Sequence, residues 1–388
     1  MKYNFDQVVD RYHTNSIKYD CKAKRGKSED ILPLWVADMD FQTAKPIIER
    51  LHTCIEHGIY GYSDSGNEYF RALYGWYKTR FDWEIKEEWL VKTPGIVFAL
   101  AATIQAFTKE KDGILIQEPV YYPFRDMIEV NNRTVVNSPL ILKDGHYEMD
   151  FDDIEKKIKE QNVKVFFLCS PHNPVGRVWK EEELRRIGEI CITNKVILIS
   201  DEIHSDFTYE GHKHHIFLSL DERFKEWTIV CTAPSKTFNL AGLQVSNIFI
   251  PNEELRDKFK KAVERTGYCE LSYTGLVACQ AAYEEGAEWL EEVKAYLKGN
   301  LEYVRSFLKE HLPQVELIEP EGTYLIWLDF RKLGLSVEQL EELMEKKAKL
   351  WLDGGTMFGE TGAGFQRVNI ACPRAILEQA LTQLKNAI

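Results

Sequence analysis

The chain has 388 residues, of which 44% are hydrophobic and 28% are charged, the composition of a globular protein of two or three domains. Its net charge of −12 argues against nucleic acid as the main partner, because phosphate binding requires a basic surface. No apolar run reaches the length of a membrane span, and the first residues lack the apolar core of a signal peptide, so we expect a cytoplasmic protein with no membrane partner.

The cysteines and histidines do not predict a metal site. The eight cysteines form no C-x-x-C pair, and several stand within apolar runs, which favours buried, reduced thiols of a cytosolic protein. The residues His212, His214 and His215 follow a Glu-Gly pair and have no evident carboxylate behind them. We interpret this segment as a solvated hairpin and expect no metal.

In chain order, the pattern predicts three regions. Residues 1–45 are charged and turn-rich and indicate an N-terminal arm that also contributes to a small domain. Residues 46–285 alternate helical segments with short apolar strands, predicted at 113–117, 163–169, 196–200 and 228–231. Residues 286–388 contain a long amphipathic helix and then alternating strand patterns, typical of a smaller α+β domain. The nearly continuous apolar strands predict an α/β fold with a mostly parallel, doubly wound sheet in the large domain.

Polar residues follow each predicted strand of the large domain. Asn173 follows the second strand, Asp201 ends the third, and Lys236 comes shortly after the fourth. A helix begins near Gly95, and the first strand runs into Tyr121 and the tyrosine after it. In such sheets ligands bind beyond the carboxyl ends of the strands, so we expect these residues to meet in one site.

Pyridoxal phosphate would use all of these groups. It needs a lysine amine for its aldehyde and a carboxylate beside its ring nitrogen. A glycine-led helix N terminus offers free N–H groups to its phosphate, and an aromatic side chain can stack on its ring. The sequence therefore predicts a site for this cofactor.

The motifs "NPVG", "SDEIH" and "SKTFNLAG" occur in this order, 28 and then 35 residues apart at their Asn, Asp and Lys. Over essentially the whole chain, the sequence resembles the aminotransferase class I/II group of fold-type I pyridoxal-phosphate enzymes. The stretches "LWVADMDF", "YGYSD", "SDEIHSDF" and "APSKTFNLAGLQ" further resemble its MalY/PatB subgroup of cystathionine β-lyase-like C–S lyases. The resemblance implies the fold-type I architecture and a homodimer with shared active sites.

The resemblance also implies roles around the cofactor ring. Lys236 would form the Schiff base and act as general base, and Asp201 would pair with the ring nitrogen. Asn173 would bond the phenolic oxygen, and Tyr121 would stack on the ring. His204 stands where many aminotransferases have a tyrosine. It is either a cofactor contact or a histidine satisfied within the core.

Two further groups of residues would bind the phosphate and the substrate. The backbone N–H groups of Gly95 and Ile96 and the hydroxyl of Ser235 would bind the phosphate, and Tyr62 would reach it from the other subunit. The neighbouring residues Tyr122 and Tyr60 remain alternatives to Tyr121 and Tyr62. The substrate carboxylate would be held by Arg367, Asn173 and the backbone at Ala37, because a planar guanidinium suits that group.

The resemblance implies a carbon–sulfur β-lyase that cleaves L-cystathionine or related cysteine S-conjugates to a thiol, pyruvate and ammonia. An aminotransferase is the alternative, since it would use the same residues for the first proton transfer. A regulatory protein that binds the cofactor and acts through protein contacts is an alternative of another class.

Overall fold

The computed structural model describes residues 2–268 and 270–388. Its largest sheet has, in spatial order, the strands β2 (Leu90–Thr93), β10 (Ser246–Phe249), β9 (Thr228–Thr232), β8 (Ile197–Asp201), β7 (Val163–Cys169), β3 (Gly113–Ile116) and β4 (Thr134–Asn137). Neighbouring strands from β9 to β4 are parallel, whereas β10 is antiparallel to both β9 and β2. The parallel strands therefore end at one edge of the sheet. The four predicted strands are confirmed, with ends that differ by one residue at most.

Helices cover both faces of this sheet. They are α1 (Lys45–His57), α2 (Asn67–Phe81), α3 (Ile96–Phe107), α4 (Pro123–Val130), α5 (Phe151–Glu160), α6 (Glu181–Asn194), α7 (Pro234–Thr237), α8 (Glu253–Glu264) and α9 (Tyr273–Glu285). Helices α3, α4 and α8 pack on one face, and α5, α6 and α9 pack in the core on the other. This is the doubly wound arrangement that the sequence predicts.

Strand β7 shows why the central strands are apolar along their whole length. Phe166 and Leu168 point into the core cluster on one face of the sheet, whereas Val165, Phe167 and Cys169 point into the cluster on the other. Successive strand residues alternate between faces, and here both faces are covered by helices. A continuous apolar run is the result.

A second sheet lies in the C-terminal region. Its order is β11 (Glu316–Ile318), β12 (Leu325–Asp329), β15 (Phe365–Asn369) and β14 (Asp353–Gly354), and all its neighbours are antiparallel. The helices of this region are α10 (Ala287–His311), α11 (Val337–Glu342) and α12 (Arg374–Ala387), with a π-helical turn at Leu343–Lys347. The predicted amphipathic helix corresponds to α10.

The N-terminal segment joins this C-terminal region. Strand β1 (Leu32–Pro33) pairs in parallel with β13 (Leu350–Trp351), and a separate hairpin consists of β5 (Ile141–Lys143) and β6 (His146–Glu148). The division of the chain at residues 45 and 285 stays a prediction. No helix in residues 2–268 and 270–388 is long and apolar enough to cross a membrane.

Candidate active site

A cavity of about 370 Å³ opens at the edge where the parallel strands end. Its wall includes these residues singled out from the sequence: Ala37, Gly95, Ile96, Tyr121, Asn173, Asp201, His204, Ser235, Lys236 and Arg367. Tyr62 does not line it and is 96% exposed. Segments from the arm, the central sheet and the C-terminal sheet thus meet in one space.

Lys236 lies in the short helix α7, which follows β9. Its Nζ donates a hydrogen bond to the carbonyl oxygen of Ala37 at 2.7 Å. Burial lowers the pKa of Lys236 to about 8, against the opposing charges of Asp38 and Asp201. The next residue is anchored, because Thr237 donates its hydroxyl to the buried Asp206 at 2.8 Å. The amine is therefore held at a fixed place in the cavity, with a pKa close to neutral pH.

Asp201 ends β8 and is buried at the base of the cavity. Its Oδ1 accepts a hydrogen bond from the backbone N–H of Ile203 at 3.2 Å. No side chain in the described part of the protein donates a hydrogen bond to it or forms an ion pair with it within 4.0 Å. Burial raises the pKa of Asp201 to about 7, although Lys236 partly opposes the shift. A buried carboxylate in this situation would be stabilised by a cationic ligand.

The raised pKa of Asp201 predicts a measurable effect on stability. Because the folded pKa of about 7 lies above the usual 3.8, the folded protein retains a proton that the unfolded chain releases. The contribution of Asp201 to the free energy of unfolding therefore falls as the pH rises from about 4 to 7, and it is least favourable above 7. We expect Asp201→Asn to stabilise the cofactor-free protein at pH 8 by about 2–4 kcal/mol, and by less at pH 6.

Urea unfolding of the cofactor-free variant at both pH values tests this expectation. Asp144→Asn, at an exposed turn, is the matched control and should change stability by less than about 0.5 kcal/mol. A destabilised Asp201→Asn variant at pH 8 would contradict the prediction.

Arg367 projects from β15 and is buried. Its guanidinium donates to the Asn173 side-chain oxygen at 3.1 Å and to the Trp35 carbonyl oxygen at 2.8 Å, and it forms an ion pair with Asp353. Its Nε is buried without a hydrogen-bond partner. The arginine is therefore oriented by three groups and keeps one donor unsatisfied.

Asn173 is positioned by the tight loop that follows β7. Gly176 of this loop has φ +75°, and a Cβ added there would lie 2.9 Å from the Cβ of Pro320. Glycine meets both demands, because it tolerates positive φ and has no side chain. The "NPVG" motif thus allows the loop to pack against the C-terminal region.

The N terminus of α3 faces the cavity. Gly95 is its N-cap, no side chain caps the helix, and Gly95, Ile96 and Val97 all line the cavity wall. A Cβ added at Gly95 would meet no atom within 4 Å, so the space beside this backbone is open. Ser235 lines the same cavity. Free N–H groups at a helix start suit a phosphate.

The structure bears on two alternatives that the sequence leaves open. His204 lines the cavity, and its Nδ1 is buried without a partner, so it is not a histidine satisfied within the core. Burial lowers the pKa of His204 well below its usual value, and the charges of Lys236 and Arg367 add to this, which keeps the ring neutral. Tyr121 and Tyr122 both line the cavity. Tyr121 precedes α4 and Tyr122 is its N-cap, and both also pack against core residues, so the choice of Tyr121 as the stacking residue stays a prediction.

The prediction of a solvated hairpin at residues 212–215 is also wrong in part. His214 is buried, and its Nε2 lies 2.9 Å from Oε2 of the buried Glu202. The buried Glu202 carboxylate also accepts hydrogen bonds from the Ser200 hydroxyl and the backbone N–H of Phe217, so His214 completes a set of donors around it. His212 is exposed, as expected, and no cluster of metal-ligating side chains occurs in residues 2–268 or 270–388.

Sequence reasoning missed several residues of the site. Asp353, Asp38, Trp35 and Arg25 were not singled out, yet Asp353, Trp35 and Arg25 line the cavity, and Asp38 acts electrostatically on Lys236. Asp353 had a local signal, because it follows the apolar run 350–352 and precedes two glycines, the pattern of another strand end. The others lie in the arm and carried no such signal.

The cavity fits pyridoxal phosphate on several observations. It has an amine of lowered pKa, a buried carboxylate without a cationic partner, an uncapped helix N terminus beside open space, and a histidine nitrogen without a partner. Each would meet a different part of the cofactor: the aldehyde, the ring nitrogen, the phosphate and the polar edge of the ring.

The model of the family "Aminotransferase class I and II" matches residues 30–384. The chain belongs to this family. It is 42% identical over 385 residues to cystathionine beta-lyase PatB of Bacillus subtilis, which covers 99% of this chain and 100% of PatB. This similarity confirms the resemblance to the PatB subgroup.

Two solved structures are similar throughout. A PLP-bound protein of Clostridium difficile 630 that carries a provisional aminotransferase name is 44% identical, with a TM-score of 0.97 and 99% of both chains covered. The PLP-bound C–S lyase of Staphylococcus hominis is 36% identical, with a TM-score of 0.92, and covers 100% of this chain and 98% of its own. These neighbours confirm the predicted fold.

Proposed function

We propose that the protein is a pyridoxal-phosphate-dependent carbon–sulfur β-lyase that converts L-cystathionine and water to homocysteine, pyruvate and ammonia, and that also cleaves related cysteine S-conjugates. The observation that carries this proposal is the position of Lys236 in one cavity with Asp201 and Arg367. The full-length similarity to PatB supports the lyase over the aminotransferase.

Substrate binding and removal of the Cα proton would fall to two residues of the cavity. Arg367 binds the substrate α-carboxylate, for which its unsatisfied Nε remains available. Lys236 takes the Cα proton on Nζ, and a pKa of about 8 leaves part of the amine neutral near pH 7. When bound, the cofactor supplies an electron sink for the pair left at Cα.

Asp201 would keep the ring nitrogen of the cofactor protonated, and the positive charge on that nitrogen would help the ring to accept the electron pair from Cα. The buried, neutral His204 and Asn173 would contact the cofactor from the side of the cavity. The thiolate then leaves from Cβ, because the electron pair at Cα lies next to the Cβ–S bond. Hydrolysis of the remaining fragment yields pyruvate and ammonia.

Product analysis tests the proposal directly. The purified protein with cofactor should form homocysteine, pyruvate and ammonia from L-cystathionine without any added keto acid. If product appears only when a keto acid is supplied, or if the cofactor accumulates as pyridoxamine phosphate, the aminotransferase replaces the lyase. The aminotransferase name of the Clostridium difficile neighbour is the reason to test this alternative.

We expect Arg367→Lys to raise KM about 10–100-fold, because lysine keeps the charge but loses the planar fork. Cleavage rates over a range of cystathionine concentrations measure this effect. Arg331, which pairs with Asp329 outside the cavity, is the matched control, and Arg331→Lys should leave KM unchanged within about twofold. Equal loss with decarboxylated substrate analogues would place the carboxylate contact elsewhere.

A homodimer is part of the proposal. The end of α1 and the following loop expose Ile55, Ile59, Tyr60 and Tyr62, a run of large apolar side chains that a second copy could cover. The Tyr60 hydroxyl donates to the Ile55 carbonyl oxygen at 3.2 Å, whereas Tyr62 is 96% exposed, which favours Tyr62 as the residue that reaches a neighbouring site. Sedimentation equilibrium tests the dimer.

A cytoplasmic location is also part of the proposal, and it is supported by the seven free cysteines among the described residues.

A further inference from the structure

Arg25 is a cation at the cavity wall without an acidic partner. It lies in a short turn at residues 23–25, is exposed, and lines the same cavity as Lys236 and Arg367. Within the described residues, its guanidinium forms no ion pair within 4.0 Å and no hydrogen bond. An exposed arginine is often merely solvated, so its orientation decides whether it serves a ligand.

A pair of tryptophans orients Arg25. Its guanidinium carbon lies 4.7 Å from the centroid of the Trp35 ring, and Trp35 stacks on Trp351 at 4.3 Å with an interplanar angle of 15°. The ammonium of Lys27 lies over the Trp351 ring, but Lys27 is paired with Glu345. Of the two cations on this aromatic pair, only the one at the cavity is left unpaired. Stacking on tryptophan holds a guanidinium in place without using its hydrogen-bond donors.

Trp35 also links the two arginines of the cavity. Its carbonyl oxygen accepts a hydrogen bond from Arg367, while its ring carries Arg25. The two guanidinium groups are therefore separated by no more than the length of Trp35 plus one contact at each of its ends. A substrate whose α-carboxylate binds Arg367 would extend its side chain within reach of Arg25.

The surroundings of Arg25 suit the carbon chain of such a substrate. Ile17 and Tyr122 line the same cavity and add apolar surface to its wall. Burial raises the pKa of Asp353, and the charges of Arg367 and then Arg25 oppose that shift, which places Arg25 in electrostatic reach of the inner site. Asp353 itself is committed to its ion pair with Arg367.

We propose that Arg25 binds an anionic group at the far end of the substrate's thioether side chain, so that the enzyme prefers S-conjugates that end in a carboxylate. The inference rests on the proposed lyase function, and it names the substrate class within it. In L-cystathionine the anionic group is the second carboxylate.

Two matched compounds test the inference: S-(3-carboxypropyl)-L-cysteine and S-butyl-L-cysteine, which differ mainly in the terminal carboxylate. The wild type should show a higher kcat/KM for the first compound. Arg25→Met keeps an unbranched apolar side chain and removes the charge, and it should lower the ratio of the two kcat/KM values about tenfold. The wild-type preference should also weaken as salt rises from 0.05 to 0.5 M, since the contact is exposed.

Lys24→Met is the control variant, because Lys24 is an exposed neighbouring cation that does not line the cavity. It should leave the ratio unchanged. Arg25→Lys should retain part of the preference. An unchanged ratio in Arg25→Met, or an equal fall for both compounds, overturns the inference, since the second result indicates a purely structural role.

A binding measurement separates this inference from the proposed function. Dissociation constants of both compounds are measured by calorimetry in a Lys236→Ala background, with and without Arg25→Met. Tighter binding of the carboxylate compound that depends on Arg25 supports the inference even if the wild type cleaves neither compound. Cleavage of both compounds without any dependence on Arg25 leaves the lyase function intact and rejects the role of Arg25.

Discussion

Lys236→Ala is expected to lower kcat for cystathionine cleavage by about 10⁴-fold or more. In the proposed function the amine would have two tasks, covalent attachment of the cofactor and removal of the Cα proton, and no other lysine lines the cavity in the described part of the chain. Pyruvate formation by the cofactor-loaded variant measures the loss. The cofactor should still bind through the α3 N terminus, although without a covalent link.

Borohydride reduction followed by peptide mapping identifies the attached lysine. In the wild type the label should lie on Lys236, and the variant should carry none. Small primary amines added to Lys236→Ala should restore part of the activity, because they supply a base of similar chemistry to the space that the side chain leaves. A label on any other lysine would defeat the assignment of Lys236.

Asp201→Ala is expected to lower kcat by about 10²–10⁴-fold and to change KM much less. In the proposed function the carboxylate would act on charge that develops in the transition state, so its loss should affect the chemical step more than substrate binding. Steady-state kinetics with saturating cofactor measure both constants. A raised KM with unchanged kcat would show that Asp201 serves binding instead.

Asp201→Glu is the companion variant for this experiment. It keeps the charge but shifts it by one methylene, so it should retain more activity than Asp201→Ala if charge at the ring nitrogen is what matters. The stability gain expected for Asp201→Asn has the same origin as the loss of activity. A carboxylate buried without a cation costs folding energy, and in the proposed function the bound cofactor would use its charge.

Much of the fold and the central part of the site could be predicted from the sequence. The strands that precede Asn173 and Lys236, and the strand that ends at Asp201, are short apolar runs that local sequence is enough to predict. The observed strands differ from the predicted ones by one residue at most at each end. The residues that follow parallel strands must meet at one edge of the sheet. Their presence in one cavity therefore follows from local pattern and one topological rule.

The rest could not be predicted, because it depends on contacts between distant parts of the chain. Arg367 could be recognised as a candidate, but its pairing with Asp353 and its bond to Trp35, 332 residues earlier, require the packed C-terminal sheet and arm. The pairing of His214 with Glu202 reversed a local interpretation for the same reason. The residues next to Arg367 and His214 in the sequence do not indicate which partners bury these two side chains.

The sequence by itself indicated the chemistry: a lysine, a carboxylate and an amide, each at or after the end of an apolar segment, and a glycine-led helix start. Only the tertiary structure decided how this chemistry is tuned and what surrounds it. Burial lowers the pKa of Lys236 to about 8 and raises that of Asp201 to about 7, and burial is a property of the packed fold. The same packing brings Trp35 and Arg25 from the arm to the cavity, where desolvation and stacking give ordinary residues a specific position.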